Sequence, residues 1–398
     1  MSVLIVGGGI GGLAAAVALR RVGIPVKVFE RAPDIHEIGA SISVFSNAVK
    51  ALRAMGLEDQ VLSLAPELTR VSFLSPSGQT LASTDVHAIS QACGAASIMV
   101  HRADLQRTLL EALDPDQVNT GKECVGVTQD ATGVTVHFVD QTQVRGEVAI
   151  GADGIRSTVA SSLFGEGKLR YAGYYCYRAI AETPSIPMNE GIWILLPGIQ
   201  FALLPEVRPG ETYWGFCRNS PAGRAAAYTE RDHSAHLRSI AGQLPGNLGE
   251  MVAGTDMDSV FVDDVYDRRP RRRWGRGRVS LLGDAAHPTT PTFGQGACTA
   301  IEDAVVLADS LRHAKDPVTG LRSYETARRR RTARMTRLSW RAGKILQYEH
   351  PALVWWRTVS MSMRASQWNA DRILRWFLRH NVPTLDHATS VLNSTSEL

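Results

Sequence analysis

Val3-Leu4-Ile5-Val6-Gly7-Gly8-Gly9-Ile10-Gly11-Gly12 is the stretch that decides the fold. Ser2 to Val6 is a short apolar run rich in β-branched residues, Ile10 to Val22 is rich in alanine and leucine, and Val26 to Glu30 is a second apolar run. That alternation predicts a strand, a tight turn, a helix and a parallel strand. Gly7, Gly9 and Gly12 satisfy the spacing G-x-G-x-x-G, with Gly11 inside it. The first glycine permits the turn, the second lets backbone approach a pyrophosphate, and the third lets helix and strand pack closely. The helix start then offers free N–H groups and a positive dipole end to phosphate oxygens. Glu30 ends the second strand, where a carboxylate accepts hydrogen bonds from a ribose diol. The motif points to a dinucleotide without choosing which one. The bland alternative is a glycine turn with no ligand.

The rest of the chain bounds the possibilities. Its 398 residues are average in apolar and charged content, enough for a large core and two or three structural units. Cys93, Cys124, Cys176, Cys217 and Cys298 are scattered with no Cys-x-x-Cys pair. This predicts neither a disulfide framework nor a metal site, and fits a reducing, cytoplasmic setting. No secretory pattern precedes Gly7, and no apolar run is long enough to predict a transmembrane segment. The formal charge is +4, with arginines clustered from Arg268 to Arg278 and from Arg328 to Arg341. Without a nucleic-acid motif beside them these read as solvated faces and not as a nucleic-acid surface.

The texture changes along the chain. Val71 to Leu74, Tyr174 to Ala181, Gly191 to Leu204 and Thr212 to Arg218 read as strands between Pro and Gly turns, with few helices among them. They predict a second, mostly antiparallel sheet. His101 to Leu113 reads as a helix entered from a strand, and Val125 to Val139 as a hairpin turning at Asp130 to Gly133. Val279 to Leu282 and Gly296 to Leu311 return to strand, loop and helix. From Tyr324 the chain reads as helical to its end. Trp340, Trp355, Trp356, Trp368, Trp376 and Phe377 are expected to pack on the body, with a basic amphipathic membrane contact as the alternative. The expectation is an α/β fold, α+β overall. A discontinuous Rossmann-like unit takes residues 1–72, 98–170 and 268–330. An inserted sheet takes 73–97 and 171–267, and C-terminal helices take 331–398.

Two more loops belong with the glycine turn. Ile150-Gly151-Ala152-Asp153-Gly154-Ile155-Arg156-Ser157 runs a strand into Asp-Gly and then a Ser/Thr-rich helix start. It also reads simply as an N-capped helix entry. Leu281-Leu282-Gly283-Asp284-Ala285-Ala286-His287-Pro288 continues to Pro291-Thr292-Phe293-Gly294-Gln295-Gly296. A carboxylate at a strand end, followed by a Gly-x-Gly helix opening, suits a polyol and then an electron-rich ring edge.

Together these three elements resemble the single-component flavoprotein hydroxylases, the group A aromatic-ring hydroxylases such as salicylate and p-hydroxybenzoate hydroxylase. The resemblance covers roughly the first 330 residues. It implies a glutathione-reductase-type FAD domain, an inserted substrate sheet, and a monooxygenase using NAD(P)H and O₂ on a small aromatic or polycyclic substrate through a flavin C4a-hydroperoxide. By the same resemblance, Gly7, Gly9, Gly11 and Gly12 hold the pyrophosphate, and Glu30 with Arg31 the adenosine ribose. Arg102, in His101-Arg102-Ala103-Asp104-Leu105, contacts FAD, with Ser43 and Val125 as further contacts. Asp153 helps place FAD and the nicotinamide, Asp284 binds the ribityl or phosphate region, Pro291 flanks the ring, and Gly294, Gln295, Gly296 and Ala297 present backbone to it. Cys298 stands where many members carry asparagine.

The substrate side is thinner. Arg178 shares a strand face with Tyr174 and Cys176 by two-residue alternation, and pairs either with an anionic substrate or with another protein group. Gln200 and Tyr213 lie on neighbouring expected strands. Arg170 to Tyr174 and Gly294 to Cys298 are similar to the urate-hydroxylase and epoxidase-like branch. Gln200 aligns where bacterial urate hydroxylases carry a substrate-binding arginine, which weakens urate as the substrate. Arg178, Tyr213 and His287 are the candidates for a catalytic group, with His287 more simply read as a support behind the flavin loop. An FAD-dependent reductase, a halogenase (whose Trp-x-Trp-x-Ile-Pro motif is missing) and a non-catalytic FAD-binding protein are the rivals. A monomer or a homodimer is expected.

Overall fold

Val3–Val6 is buried at every position because it lies mid-sheet, parallel to Val26–Phe29 on one side and Val148–Gly151 on the other. A strand covered on both faces must be apolar throughout. The computed structural model describes residues 1–35, 41–182, 189–208 and 210–385. In it the parallel sheet runs in the order Val279–Leu281, Val148–Gly151, Val3–Val6, Val26–Phe29, Val118–Asn119. Helix Ile10–Arg21 crosses between the first two strands in sequence and is packed by helix Gln295–His313. The Asp130 turn joins Cys124–Gln129 to Val134–Phe138, with the Asp130 N–H donating to the Gly133 carbonyl.

The second sheet has seven strands, ordered Phe261–Asp267, Arg170–Glu182, Glu211–Asn219, Ile199–Arg208, Glu190–Leu196, Arg70–Leu74, Thr80–Asp85. Every neighbouring pair is antiparallel except Glu190–Leu196 with Arg70–Leu74. Gly191 to Leu204, expected as one strand, is a hairpin. Pro197-Gly198 breaks it, with Gly198 at φ +67°. Two helices that the sequence reading missed, Glu230–Ala241 and Leu248–Ala253, cover one face of this sheet against Tyr175, Tyr177 and Trp214. The first opens on a Thr229/Asp232 capping box. The opposite face, carrying Tyr174, Cys176 and Arg178, looks toward the parallel unit.

One expectation fails outright. Cys176 and Cys217 form a disulfide. The two residues sit directly opposite on paired antiparallel strands, with Cα atoms 4.2 Å apart. Their separation of 41 residues hides a pairing that only strand register creates.

The Arg328 to Arg341 cluster is not a solvated face throughout. On helix Pro317–Leu346, Arg328 is 1 % exposed and bonds Glu302 and Asp303, both fully buried on helix Gln295–His313. Arg331 bonds both oxygens of Glu302 at 2.6 and 2.7 Å. Helical periodicity turns every third or fourth arginine of the run inward. Burial alone raises the two carboxyls, but Arg328 with Arg331 for Glu302, and His287 with Arg328 for Asp303, hold both below their ordinary values.

The chain ends in helices Pro317–Leu346, Pro351–Ser362 and Arg364–Leu378, and the expected helical course over 386–398 lies outside the described residues. Trp340 stacks under the Arg170 guanidinium and Phe377 is buried. Trp355, Trp356 and Trp368, expected to pack on the body, are exposed instead. Arg357 explains the rotation of the helix carrying the first two. Its side chain points inward and donates to the Leu346, Leu195 and Leu196 carbonyls.

Arg328→Met should cost about 3–5 kcal/mol of unfolding free energy, because it leaves two buried carboxylates short of a partner. Denaturant titration of the variant checks this. The depressed carboxyls also set an acid limb. Their contribution is present above the unfolded-state carboxyl values, about pH 4, and is lost as pH falls through the lower folded-state values. The midpoint of wild-type protein should drop steeply below that pH, and the drop should be shallower in Arg328→Met.

Candidate active site

The glycine turn has the geometry its spacing predicts. Gly7 sits at φ +108°, and a Cβ there would lie 2.5 Å from the Ala152 carbonyl oxygen. A Cβ at Gly12 would lie 1.9 Å from the Gly7 carbonyl oxygen, so helix and strand touch backbone to backbone. A Cβ at Gly9 would meet nothing within 4 Å. The space in front of Gly9 is therefore open, and helix Ile10–Arg21 begins there with no side chain capping it. Gly11 packs toward Leu282 and Ala300 and locks the turn to the Asp284 loop. Glu30 accepts from the Gly8 N–H at 2.6 Å and from the Ala32 N–H at 2.9 Å, holding the loop while its remaining lone pairs face outward. Arg31 beside it is exposed.

Gly11 ties the turn to the Asp284 loop, and Arg102 feels both Asp284 and Arg178, so turn, loop and second sheet meet here. Asp284 is exposed within the otherwise buried run Leu281 to Pro288, and Arg102 is exposed between buried His101 and Ala103. Both project into the same space. Crowding by protein raises the Asp284 carboxyl, while His287 and Arg102 pull it down. Arg102 is lowered by the same crowding and by Arg178, and raised by Asp284. Pro291 is exposed at the loop that follows. Gly294, at φ +61°, caps helix Gln295–His313 without a side-chain bond, so the N–H groups of the first turn stay open. Ser43 adjoins Gly294: a Cβ on Gly294 would fall 2.5 Å from its hydroxyl oxygen. The Gln295 side chain turns away to accept from Asn47 at 3.1 Å, so it is backbone from 294 to 297 that is left for a ligand.

The remaining candidates separate by role. Asp153 accepts from the Ser157 hydroxyl at 2.5 Å and the Val159 N–H at 3.1 Å, so its carboxylate shapes the turn into helix Thr158–Phe164. Val125 is exposed beside a strand irregularity at Cys124/Gly126. His287 leaves the catalytic set: it is 4 % exposed, lies 2.5 Å from Asp303 and packs on Trp274. It supports the Asp284 loop from behind, because Asp303 also accepts from the Gly283 N–H.

Arg178, Gln200 and Tyr213 do share one sheet face. Gln200 lies opposite Cys217, which lies opposite Cys176. Arg178 lies opposite Gly215, and the Tyr213 hydroxyl sits over that glycine, 2.9 Å from where a Cβ would stand. Arg178 pairs with Asp263 on the next strand and keeps a buried Nε without a partner. Burial pushes the Tyr213 hydroxyl up to about 12, with Arg178 opposing. Tyr213 packs with Phe45, Val71, Trp193 and Leu374 around Met99 and Leu204, an apolar wall beside the polar trio.

Sequence reasoning missed several supports. Gln106 donates to the Gly8 carbonyl at 3.0 Å; it lies one turn after Arg102, a signal that helix spacing could have exposed. Asn47 donates to Gln295 and Glu302 and ties helix Ser46–Met55 to the flavin loop. Two cavities, of about 520 and 600 Å³, open elsewhere, against helix Pro317–Leu346 and the Arg170 strand, and contain none of these residues.

An open glycine turn, an acid and an arginine within electrostatic reach, and an uncapped helix start are a donor set that suits a flavin dinucleotide. The chain belongs to the FAD-binding family of aromatic hydroxylases and monooxygenases. Residues 1–339 match the family described as FAD binding domain. The chain is 35 % identical over 377 residues to the aurachin C monooxygenase/isomerase of Stigmatella aurantiaca, covering 92 % of this chain and 95 % of that protein. It is 35 % identical over 334 residues to the FAD-dependent urate hydroxylase of Klebsiella pneumoniae, covering 82 % and 86 %. The solved structure of Klebsiella pneumoniae HpxO complexed with FAD and uric acid superposes with a TM-score of 0.88 at 30 % identity, covering 95 % of this chain and 96 % of that one.

Two glycine substitutions separate ligand space from packing space. Gly9→Val should leave the flavin-free thermal midpoint within a few degrees and lower FAD occupancy about tenfold or more. Gly12→Ala should destabilise the flavin-free protein by about 1–3 kcal/mol or more, since backbone must move. Flavin absorbance after purification and calorimetry of the apoprotein read the two effects.

Proposed function

We propose that this chain is an NAD(P)H-dependent FAD monooxygenase that inserts one oxygen atom of O₂ into a small aromatic or polycyclic substrate. The observation that carries this reading is that Arg102 lies within electrostatic reach of both Asp284, on the loop beside the glycine turn, and Arg178, on the sheet face shared with Gln200 and Tyr213. The donor set fits FAD. The open space at Gly9 and the uncapped helix start suit a pyrophosphate, Glu30 and Arg31 the adenosine ribose, and Asp284 the ribityl hydroxyls. Arg102, Ser43 and Val125 complete the contacts. FAD supplies the electron transfer from nicotinamide and the activation of O₂ when bound. The open N–H groups from 294 to 297 stabilise negative charge at the ring edge, and Pro291 bounds its face. Asp153 acts by fixing the turn beside the nicotinamide approach.

On the substrate side, Tyr213 stays protonated across the neutral range and serves as a hydrogen-bond donor, not as a base. Arg178, 41 % exposed, offers the part of its guanidinium not taken by Asp263 to an anionic or carbonyl group. Gln200 presents a neutral amide where bacterial urate hydroxylases carry arginine, which favours a substrate less anionic than urate. The wall around Met99 and Leu204 excludes water from the reacting atoms. The enzyme works as a monomer or homodimer.

Screening aromatic and polycyclic compounds for stimulated NAD(P)H oxidation by the FAD-loaded enzyme tests the reading. At least one class should accelerate oxidation and yield a product heavier by one oxygen. If every compound leaves flavin reduction unchanged, a non-catalytic FAD-binding protein is the better account. For the substrate found, Arg178→Gln should raise KM about 10- to 100-fold with kcat little changed, the effect of losing one charged hydrogen bond.

A further inference from the structure

Helix Pro351–Ser362 reverses the usual rule of surface helices. Its one charged residue, Arg357, is 1 % exposed and is spent on three backbone carbonyls. Its tryptophans point out. Six of the ten large apolar side chains exposed among the described residues lie here and on the next helix: Leu353, Trp355, Trp356, Val359, Met363 and Trp368. Trp355 is 67 % exposed and Trp368 64 %. Scattered apolar residues on a surface are ordinary, but a contiguous set of this kind marks a contact face.

Arginines predominate on the outer side of the helical pair, and the exposed Glu349 stands just before the first helix. Helix Pro351–Ser362 carries no acid, and Asp371, the one acid of helix Arg364–Leu378, accepts from the Thr84 hydroxyl at 3.1 Å. Trp368, Arg372, Arg375 and Arg379 are exposed at intervals of four, three and four residues, one stripe on the second helix. Arg372 lies 5.2 Å from the Trp368 ring centre. None of the three arginines has a carboxylate partner among the described residues.

We infer that this helical pair docks the enzyme on an anionic bilayer surface, with the tryptophans in the headgroup layer and the arginine stripe on lipid phosphates. Tryptophan with arginine on a face poor in acids is the chemistry of an interfacial helix. A second copy of this chain is a poorer occupant, because a twofold contact through the patch would bring the arginine stripes together with few acids to meet them. No helix among the described residues is long and apolar enough to cross a membrane, so the contact is peripheral. The inner side of the second helix carries Leu374 into the cluster with Tyr213 and Trp193, so the docked face backs onto the wall of the candidate site.

Cosedimentation of the full-length, FAD-loaded protein with vesicles tests this. Vesicles of phosphatidylcholine with about one-third phosphatidylglycerol should bind it at about 0.05 M salt, while phosphatidylcholine alone binds it weakly, and about 0.5 M salt should release much of it. Trp355→Ser/Trp368→Ser should lower the partition coefficient about tenfold or more, with FAD occupancy unchanged. Arg372→Gln/Arg375→Gln should remove most of the dependence on anionic lipid and salt. Absence of wild-type binding to the anionic vesicles at low salt overturns the inference. So does binding that ignores both pairs of substitutions, or a concentration-dependent dimer that the tryptophan substitutions abolish.

Discussion

Glu302 and Asp303 are adjacent, fully buried carboxylates, and the candidate site rests on the charges that satisfy them. Arg328 bridges both, Arg331 takes both oxygens of Glu302, and His287 meets Asp303 from the Asp284 loop. The partners come from two pieces of chain, helix Pro317–Leu346 and the Asp284 loop. The network therefore fastens helix Pro317–Leu346, helix Gln295–His313, the Asp284 loop and, through Asn47, helix Ser46–Met55 around one point. A buried ion network of this sort is weak evidence for extra stability, since apolar replacements can do as well. Its value here is positional. It holds the loop of Asp284 and the helix start at Gly294 in fixed relation, which a site that must place a ring to within a fraction of an ångström requires.

The two sheets are built differently. On the parallel sheet, glycines clear space and helix starts supply N–H groups. On the antiparallel sheet, Arg178, Gln200 and Tyr213 are displayed on one face, and the other face is sealed by helices Glu230–Ala241 and Leu248–Ala253. Arg102 joins the two, since its charge is felt by Asp284 and shares space with Arg178.

This difference explains what the amino-acid order reveals. The glycine turn, the strand into Asp153 and the loop at Asp284 are legible because local backbone geometry permits few residues there. Strand and helix positions in the parallel unit follow from unbroken apolar runs. What escaped depends on register and on helical phase. Cys176 meets Cys217 only because their strands align. Arg328 is buried and Arg329 is not because of a 100° rotation between them. Gln106 and Asn47 act through backbone and side chains distant in sequence. The outward turn of Trp355 follows from where Arg357 finds its carbonyls. His287 reads more simply as a support from the sequence, and Asp303 behind it supplies the partner that such a role needs.

We propose that the Asp284 loop and the Arg178 strand, joined through Arg102, bring flavin chemistry and an organic substrate together for oxygen insertion. Turnover under ¹⁸O₂ in ordinary water, with mass analysis of the product, tests it most directly. One atom of heavy oxygen per product molecule is the predicted result. Product free of the label, with all incorporated oxygen traced to water or with product formed as readily under nitrogen, would contradict it.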